Sequence, residues 1–159
     1  MPIDLLRIDE RLIHGQVVVG WGSRLGIRRY VVVDDALAES DWEQELYVSA
    51  LPEGVEAEFL STEQALERFD ELDALDGRGA LLTRGTASMR ALAEGGQIEG
   101  RQVNLGGLHE GPGRKRVLDY LYLGDIERAD LAVIAAHARK VSARDLPTTP
   151  EVPLEGLLG

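Results

Sequence analysis

Arg7-Ile8-Asp9-Glu10-Arg11-Leu12-Ile13-His14-Gly15-Gln16-Val17 is the stretch on which the reading of this chain turns. Upstream of it, Ile3, Leu5, Leu6 and Ile8 form an apolar run of β character. Downstream, Val17, Val18, Val19 and Trp21 open a stretch of helical character. The charged loop between them ends at His14-Gly15. A strand-to-helix turn of this kind presents unpaired backbone N–H groups and the positive end of a helix dipole, which together attract an anion. A histidine there, beside Arg11 and Asp9, has surroundings suited to carrying a phosphoryl group.

The alternation of strand and helix signals continues outward. Residues 30–33 form a continuous apolar run, as expected of a strand covered on both faces. Ser40 with Glu43 marks a helix start, with Trp42, Leu46 and Leu51 as its apolar stripe. Residues 55–60 alternate as a third strand. Ser61 and Gln64 cap a helix carrying Ala65, Leu66, Phe69 and Leu72 on one face. Residues 80–82 make a fourth strand, which runs into Thr83-Arg84-Gly85-Thr86 and a helix bearing Met89 and Leu92. Residues 103–105, closed by Gly106-Gly107, make a fifth. After a polar loop at 109–114, residues 117–123 read as a sixth strand, 125–136 as a helix and 139–144 as a weaker edge strand.

This order predicts a single α/β domain over residues 1–159. Its sheet is open, twisted and mostly parallel, with about seven strands, the last antiparallel, and helices on both faces. Prolines at 147, 150 and 153 predict a loosely held tail from about residue 147.

Composition narrows the function. Twenty-eight acidic residues face 17 basic ones, for a net charge of −11, which argues against nucleic acid as a partner. The absence of cysteine removes disulfides, thiolate metal sites and cysteine nucleophiles. Three scattered histidines lack the close spacing of a metal site, so no metal and no cofactor is expected. The glycine-rich stretches lack the lysine of a nucleotide loop. No run is long and apolar enough for a membrane helix and no signal peptide opens the chain, which predicts a cytoplasmic protein.

In open α/β sheets, ligands bind beyond the carboxyl ends of strands where the order reverses. With strand one central, strands two and three on one side and strands four to seven on the other, the loops 9–14 and 83–86 flank that crevice. The catalytic candidates are therefore His14, Arg11 and Asp9. Arg11 offers a planar fork to phosphoryl oxygens, and Asp9 orients Arg11 or the imidazole. Gly15, Gln16, Thr83, Arg84, Thr86 and His109 are candidates for binding the phosphate, although a helix-start role suits Thr86 equally. Arg7, on the strand, reads as a structural pairing, and His137 has no supporting motif.

The run from Arg7 through Val17, with Arg7, Asp9, Arg11, Leu12, His14, Gly15, Gln16 and Val17 in place, resembles the phosphorylation signature of the mannose/fructose/sorbose IIB components of the sugar phosphotransferase system. Asn104-Leu105-Gly106-Gly107-Leu108 is similar to a second feature of that family. The resemblance implies a mostly parallel α/β fold and a transient phosphohistidine at His14, formed through Nδ1, with Arg11 as a phosphoryl ligand. It also implies a IIA phosphodonor protein, membrane IIC and IID components and a sugar acceptor, with the protein peripheral to a membrane transport complex. Self-association stays open. So do two other readings: a regulatory phosphohistidine protein of the same fold, and a module that binds an anion without covalent chemistry.

Overall fold

Apolar side chains on both sides of its central strands give the chain a two-sided core. In the computed structural model, which describes residues 2–158, Leu6 and Ile8 of β1 (Ile3–Ile8) face one side and Leu5 the other. In β2 (Ile27–Val33), Val31 and Val33 likewise alternate with Tyr30 and Val32. Strands buried on both faces belong in a parallel sheet sandwiched between helices. Met1 and Gly159, the ends of the expected domain, lie outside the described residues.

A π-helix (Gln16–Gly22) follows β1 and continues as α1 (Ser23–Leu25). After β2 come α2 (Asp35–Ala38), α3 (Asp41–Val48), β3 (Glu56–Leu60), α4 (Thr62–Asp73), β4 (Arg78–Thr83), α5 (Thr86–Glu94) and β5 (Gln102–Leu105). The chain ends with β6 (Lys115–Leu118), β7 (Leu121–Leu123), α6 (Asp125–His137), β8 (Lys140–Ala143), β9 (Val152–Pro153) and a short 3-10 turn at Leu154–Gly156. Phe69, Leu72, Met89, Leu92, Leu131 and Ile134 of α4, α5 and α6 cover one face of the sheet. Val17 and Trp21 of the π-helix and Leu37 of α2 cover the other.

The main sheet has seven strands in the order β3-β2-β4-β1-β5-β8-β9, parallel except for the last. Class, strand number and the antiparallel final strand agree with the sequence reading, but three details are corrected. Strand four is not across β1 from strands two and three; it lies between β1 and β2. Its residues after Arg78 are fully buried, whereas β3 is only half-buried, so β4 takes the centre and β3 the edge. The run 117–123 is not one strand of the main sheet but the separate antiparallel hairpin β6–β7. The strand near 139–144 is not an edge, because β8 pairs with β5 on one side and β9 on the other.

The edge strand comes from the proline-rich tail. Expected to hang loosely, this tail pairs β9 with β8 and buries Leu154 and Leu157 in the core. The stripe expected on α3 is likewise corrected. Trp42 and Leu46 point to solvent, 67% and 61% exposed, and no residue of that helix is buried.

Candidate active site

Alternation along an extended strand puts residues i and i+2 on one side, which aligns Arg7 with Asp9 as β1 runs out. A turn at Glu10 and Arg11, closed by the Leu12 N–H on the Asp9 carbonyl at 3.0 Å, then folds Arg11 back, so that both arginines converge on one carboxylate. Asp9 is fully buried and accepts from Arg7 Nη2 at 3.1 Å. It also accepts from Arg11 Nε at 3.0 Å and Arg11 Nη2 at 2.9 Å, a two-pronged contact, and from the Arg11 backbone N–H at 3.0 Å. His14 Nε2 lies 3.2 Å from the same carboxylate. Burial alone would raise the Asp9 pKa. The bonds from His14 and Arg11 and the charge of Arg7 outweigh it and hold the carboxyl well below its usual range.

Arg7 is buried to the last atom of its side chain. Its guanidinium spans Asp9, the Asn104 side chain and the backbone carbonyls of Arg144 and Asp145, and it stacks 5.2 Å from the centre of the Trp21 ring. Burial pulls its pKa down from the ordinary arginine value, and Asp9 is the first group opposing that shift. Arg7 is thus the structural pairing read from the sequence, and Asn104-Leu105-Gly106-Gly107 forms its wall. A Cβ on Gly106 would fall onto both Arg7 and Asp9, and one on Gly107 would sit 3.3 Å from Arg11. Gly106→Ala is therefore expected to destabilise the fold by about 1–3 kcal/mol, as overpacking does. Urea denaturation checks this, and an unchanged midpoint would contradict the packing.

Arg11 is less enclosed, with 29% of its side chain exposed. Besides Asp9, it reaches Gln16 Oε1 through Nη1 at 2.7 Å and Asp145 Oδ1 through Nη2 at 3.3 Å. The fork expected to face phosphoryl oxygens is here spread over Asp9, Gln16 and Asp145. A lysine offers a point charge and could not serve all three at once. Arg11→Lys is expected to slow phosphoryl acceptance at least about tenfold, a loss of roughly 1.4 kcal/mol. Single-turnover kinetics measures it, and an unchanged rate would remove Arg11 from the site.

His14 keeps 16% of its side chain exposed. With Nε2 directed at Asp9, no hydrogen bond engages Nδ1 among the described residues. The turn that delivers it is strained: Leu12, fully buried, has φ +56°, which costs an ordinary residue about 1–2 kcal/mol. Gly15 is exposed and already helical, and a Cβ there would meet nothing within 4 Å, so the start of the helix is open at that position.

The remaining candidates divide. Gln16 joins the cluster through Arg11. The Thr83 backbone carbonyl accepts the Asp9 N–H at 2.9 Å, but its buried hydroxyl donates to the Gly85 carbonyl at 2.8 Å. Arg84 pairs with Asp34 beyond β2 at 3.3 Å. Thr86 faces away: its hydroxyl donates to Asp130 of α6 at 2.7 Å, and Gly85 holds the N-cap position. His109 lies on the rim, its Nδ1 2.7 Å from Glu10, which also holds Arg114. The sequence reading missed Asp145, whose carboxylate meets Arg11 and whose carbonyl accepts from Arg7 and from Trp21 Nε1.

Comparison with known proteins places the chain in a family. A family model described as PTS system sorbose subfamily IIB component matches residues 3–159. The N-acetylgalactosamine-specific phosphotransferase enzyme IIB component 1 of Escherichia coli K12 is 35% identical over 144 residues, 90% of either chain. The crystal structure of the PTS system N-acetylgalactosamine-specific IIB component 1 from Escherichia coli aligns with a TM-score of 0.83 at 32% identity, covering 94% of this chain and 97% of that one. The mannose-specific EIIAB component of Escherichia coli K12 is 27% identical over 158 residues, 99% of this chain and 49% of that longer protein. With a buried arginine–carboxylate cluster orienting a histidine at the end of β1, and with relatives of matching length and fold, the chain belongs to the sorbose subfamily of IIB components of the phosphotransferase system.

Proposed function

We propose that His14 accepts a phosphoryl group from the phosphohistidine of a IIA protein and passes it to a sugar delivered by membrane IIC and IID components. The observation that carries this reading is the pairing of His14 Nε2 with the ionised Asp9, which leaves Nδ1 unengaged. A carboxylate at Nε2 favours the tautomer with the proton there and the lone pair on Nδ1. That lone pair attacks phosphorus as the P–N bond of the donor breaks and its electron pair returns to the donor imidazole. The phosphorylated ring is then cationic, so its Nε2–H···Asp9 bond, already charge-assisted by the carboxylate, gains a charged donor as well and strengthens. In the second step a sugar hydroxyl oxygen attacks phosphorus, the bond to Nδ1 breaks, and the hydroxyl proton leaves to solvent.

Arg11, with Gln16 holding one of its arms, is the donor nearest the solvent edge of the cluster and supports the charge spread over the phosphoryl oxygens. Gly15 leaves room for the group, while Thr83 holds the Asp9 backbone in place. Arg84 and His109 stand at the rim, where an incoming partner meets them. No helix among the described residues is long and apolar enough to cross a membrane.

Incubation with phosphorylated IIA followed by intact-mass analysis tests the reading. The expected result is a gain of one phosphoryl group, lost in acid and stable in base. No gain would leave only non-covalent anion binding. A gain that never passes to sugar in the presence of IIC and IID would mark a regulatory protein instead.

A further inference from the structure

Helix α3 is an anomaly beside α4, α5 and α6, each of which buries apolar residues against the sheet. It carries Trp42 and Leu46 four residues apart, hence on one face. Both are exposed, and Val48 at its end is 47% exposed. The opposite side of the helix is anchored. Tyr47 packs against Phe59 of β3, with ring centres 6.3 Å apart. The Ser40 hydroxyl bonds Glu43, and Gln44 caps the carbonyls of Leu37 and Ala38. The outward tryptophan is thus displayed by a helix held from behind. Around it the sequence is acidic throughout, with Glu39, Asp41, Glu43 and Glu45 and no basic residue between Asp34 and Pro52.

We propose that this face docks the membrane partner, onto a cytoplasmic surface with an apolar socket rimmed by lysine and arginine. The choice of occupant follows from charge. Cytoplasmic loops of membrane proteins carry an excess of Lys and Arg, which complements an apolar pair set among carboxylates. A second copy of this chain would bring acid against acid at a net charge of −11 each. An anionic lipid surface would repel the patch for the same reason. Buried tryptophan is a frequent anchor of protein interfaces.

The patch also lies beside the transfer site and not over it. Arg84, next to the Thr83 whose carbonyl holds Asp9, pairs with Asp34, which caps α2, and Gln44 of α3 bonds the α2 carbonyls of Leu37 and Ala38. A partner seated on Trp42 and Leu46 therefore adjoins the rim of the His14 site while leaving the imidazole open for the donor and then for the sugar. The inference rests on the proposed phosphocarrier function for the identity of the partner, but not for the binding itself.

The test is co-sedimentation of the full chain with inverted vesicles containing IIC and IID, beside vesicles of the same lipids alone. The wild type is expected to bind only the former, with affinity falling as salt rises. Trp42→Ala and Trp42→Ala/Leu46→Ala should weaken binding at least about tenfold. Circular dichroism should be unchanged, since both side chains face solvent. In the same variants, labelling of His14 by phospho-IIA should keep its wild-type rate. Unchanged vesicle binding, equal binding to lipid alone, a defect confined to the phospho-IIA step, or a homodimer that the substitutions dissolve would each overturn the proposal. Should wild-type His14 take no phosphoryl group, the functional reading fails while the sedimentation result still decides the docking face.

Discussion

Asp9→Asn is expected to cost about 3–5 kcal/mol of stability, the penalty for leaving a buried charge without its partner. The substitution is nearly isosteric, so the loss comes from charge and not from volume. Arg7 remains sealed in the core with amide and carbonyl acceptors and no carboxylate in direct contact, and burial already pulls its pKa down. Arg11 loses one of the two acceptor oxygens of its two-pronged contact to an amide NH2, and His14 loses the anion that favours protonation at Nε2. Phosphoryl acceptance should fall together with stability. The pH dependence has a definite sign. Because the folded state lowers the Asp9 pKa, its stabilisation is complete above the unfolded carboxylate value of about 4 and is lost as pH falls below it. Glu10 is shifted the same way, since the bonds from Arg114 and His109 outweigh its partial burial. Urea midpoints measured between neutral and acid pH should therefore drop steeply for the wild type and less steeply for Asp9→Asn. Parallel curves would show that Asp9 is not the pivot of the cluster.

The part of the site legible in the sequence is the part that is local. Arg7, Asp9, Arg11, Gln16 and His14 lie within ten residues, and their spacing along a strand end and into a helix carries the geometry. Asp145 does not share that property. It reaches Arg11 across 134 positions, through the pairing of β8 with β5, and no spacing rule announces it. Gly106 was visible as a turn glycine, but its need to be glycine arises from Arg7 and Asp9 pressing on it from another strand.

The misreadings of the fold have similar causes. Strand order is set by which strand best fills a two-sided slot, so β4 could be placed only by comparing its burial with that of β3. The run 117–123 is apolar enough to read as one strand, and only Asp119 interrupts it at the hairpin turn. Prolines at 147, 150 and 153 concealed Val152, Leu154 and Leu157, which stitch the tail to β8 and the core. On α3 the periodicity was real, but an apolar stripe says that a face is to be covered without saying by what.

His14→Ala should abolish phosphoryl acceptance outright while leaving the fold nearly intact. Among the described residues, this is the only imidazole that pairs with Asp9. His109 pairs with Glu10 at the rim, and His137 pairs with Glu99 at the end of α6. Among the described residues the ring makes one side-chain hydrogen bond, to Asp9, which retains four donors from Arg7 and Arg11 after the substitution. The stability lost is therefore about 1 kcal/mol, the worth of one net hydrogen bond. Mass analysis after exposure to phospho-IIA should show no phosphoryl group on His14→Ala and one on His137→Ala, with matched thermal unfolding for the two. Residual labelling of His14→Ala would move the carrier role to another residue. An unfolded variant would mean that the ring is a core element, which its 16% exposure argues against. The asymmetry expected here, total loss of chemistry for a small loss of stability, follows from one arrangement: Arg7, Asp9 and Arg11 build the rigid base, and His14 stands on it without holding it together.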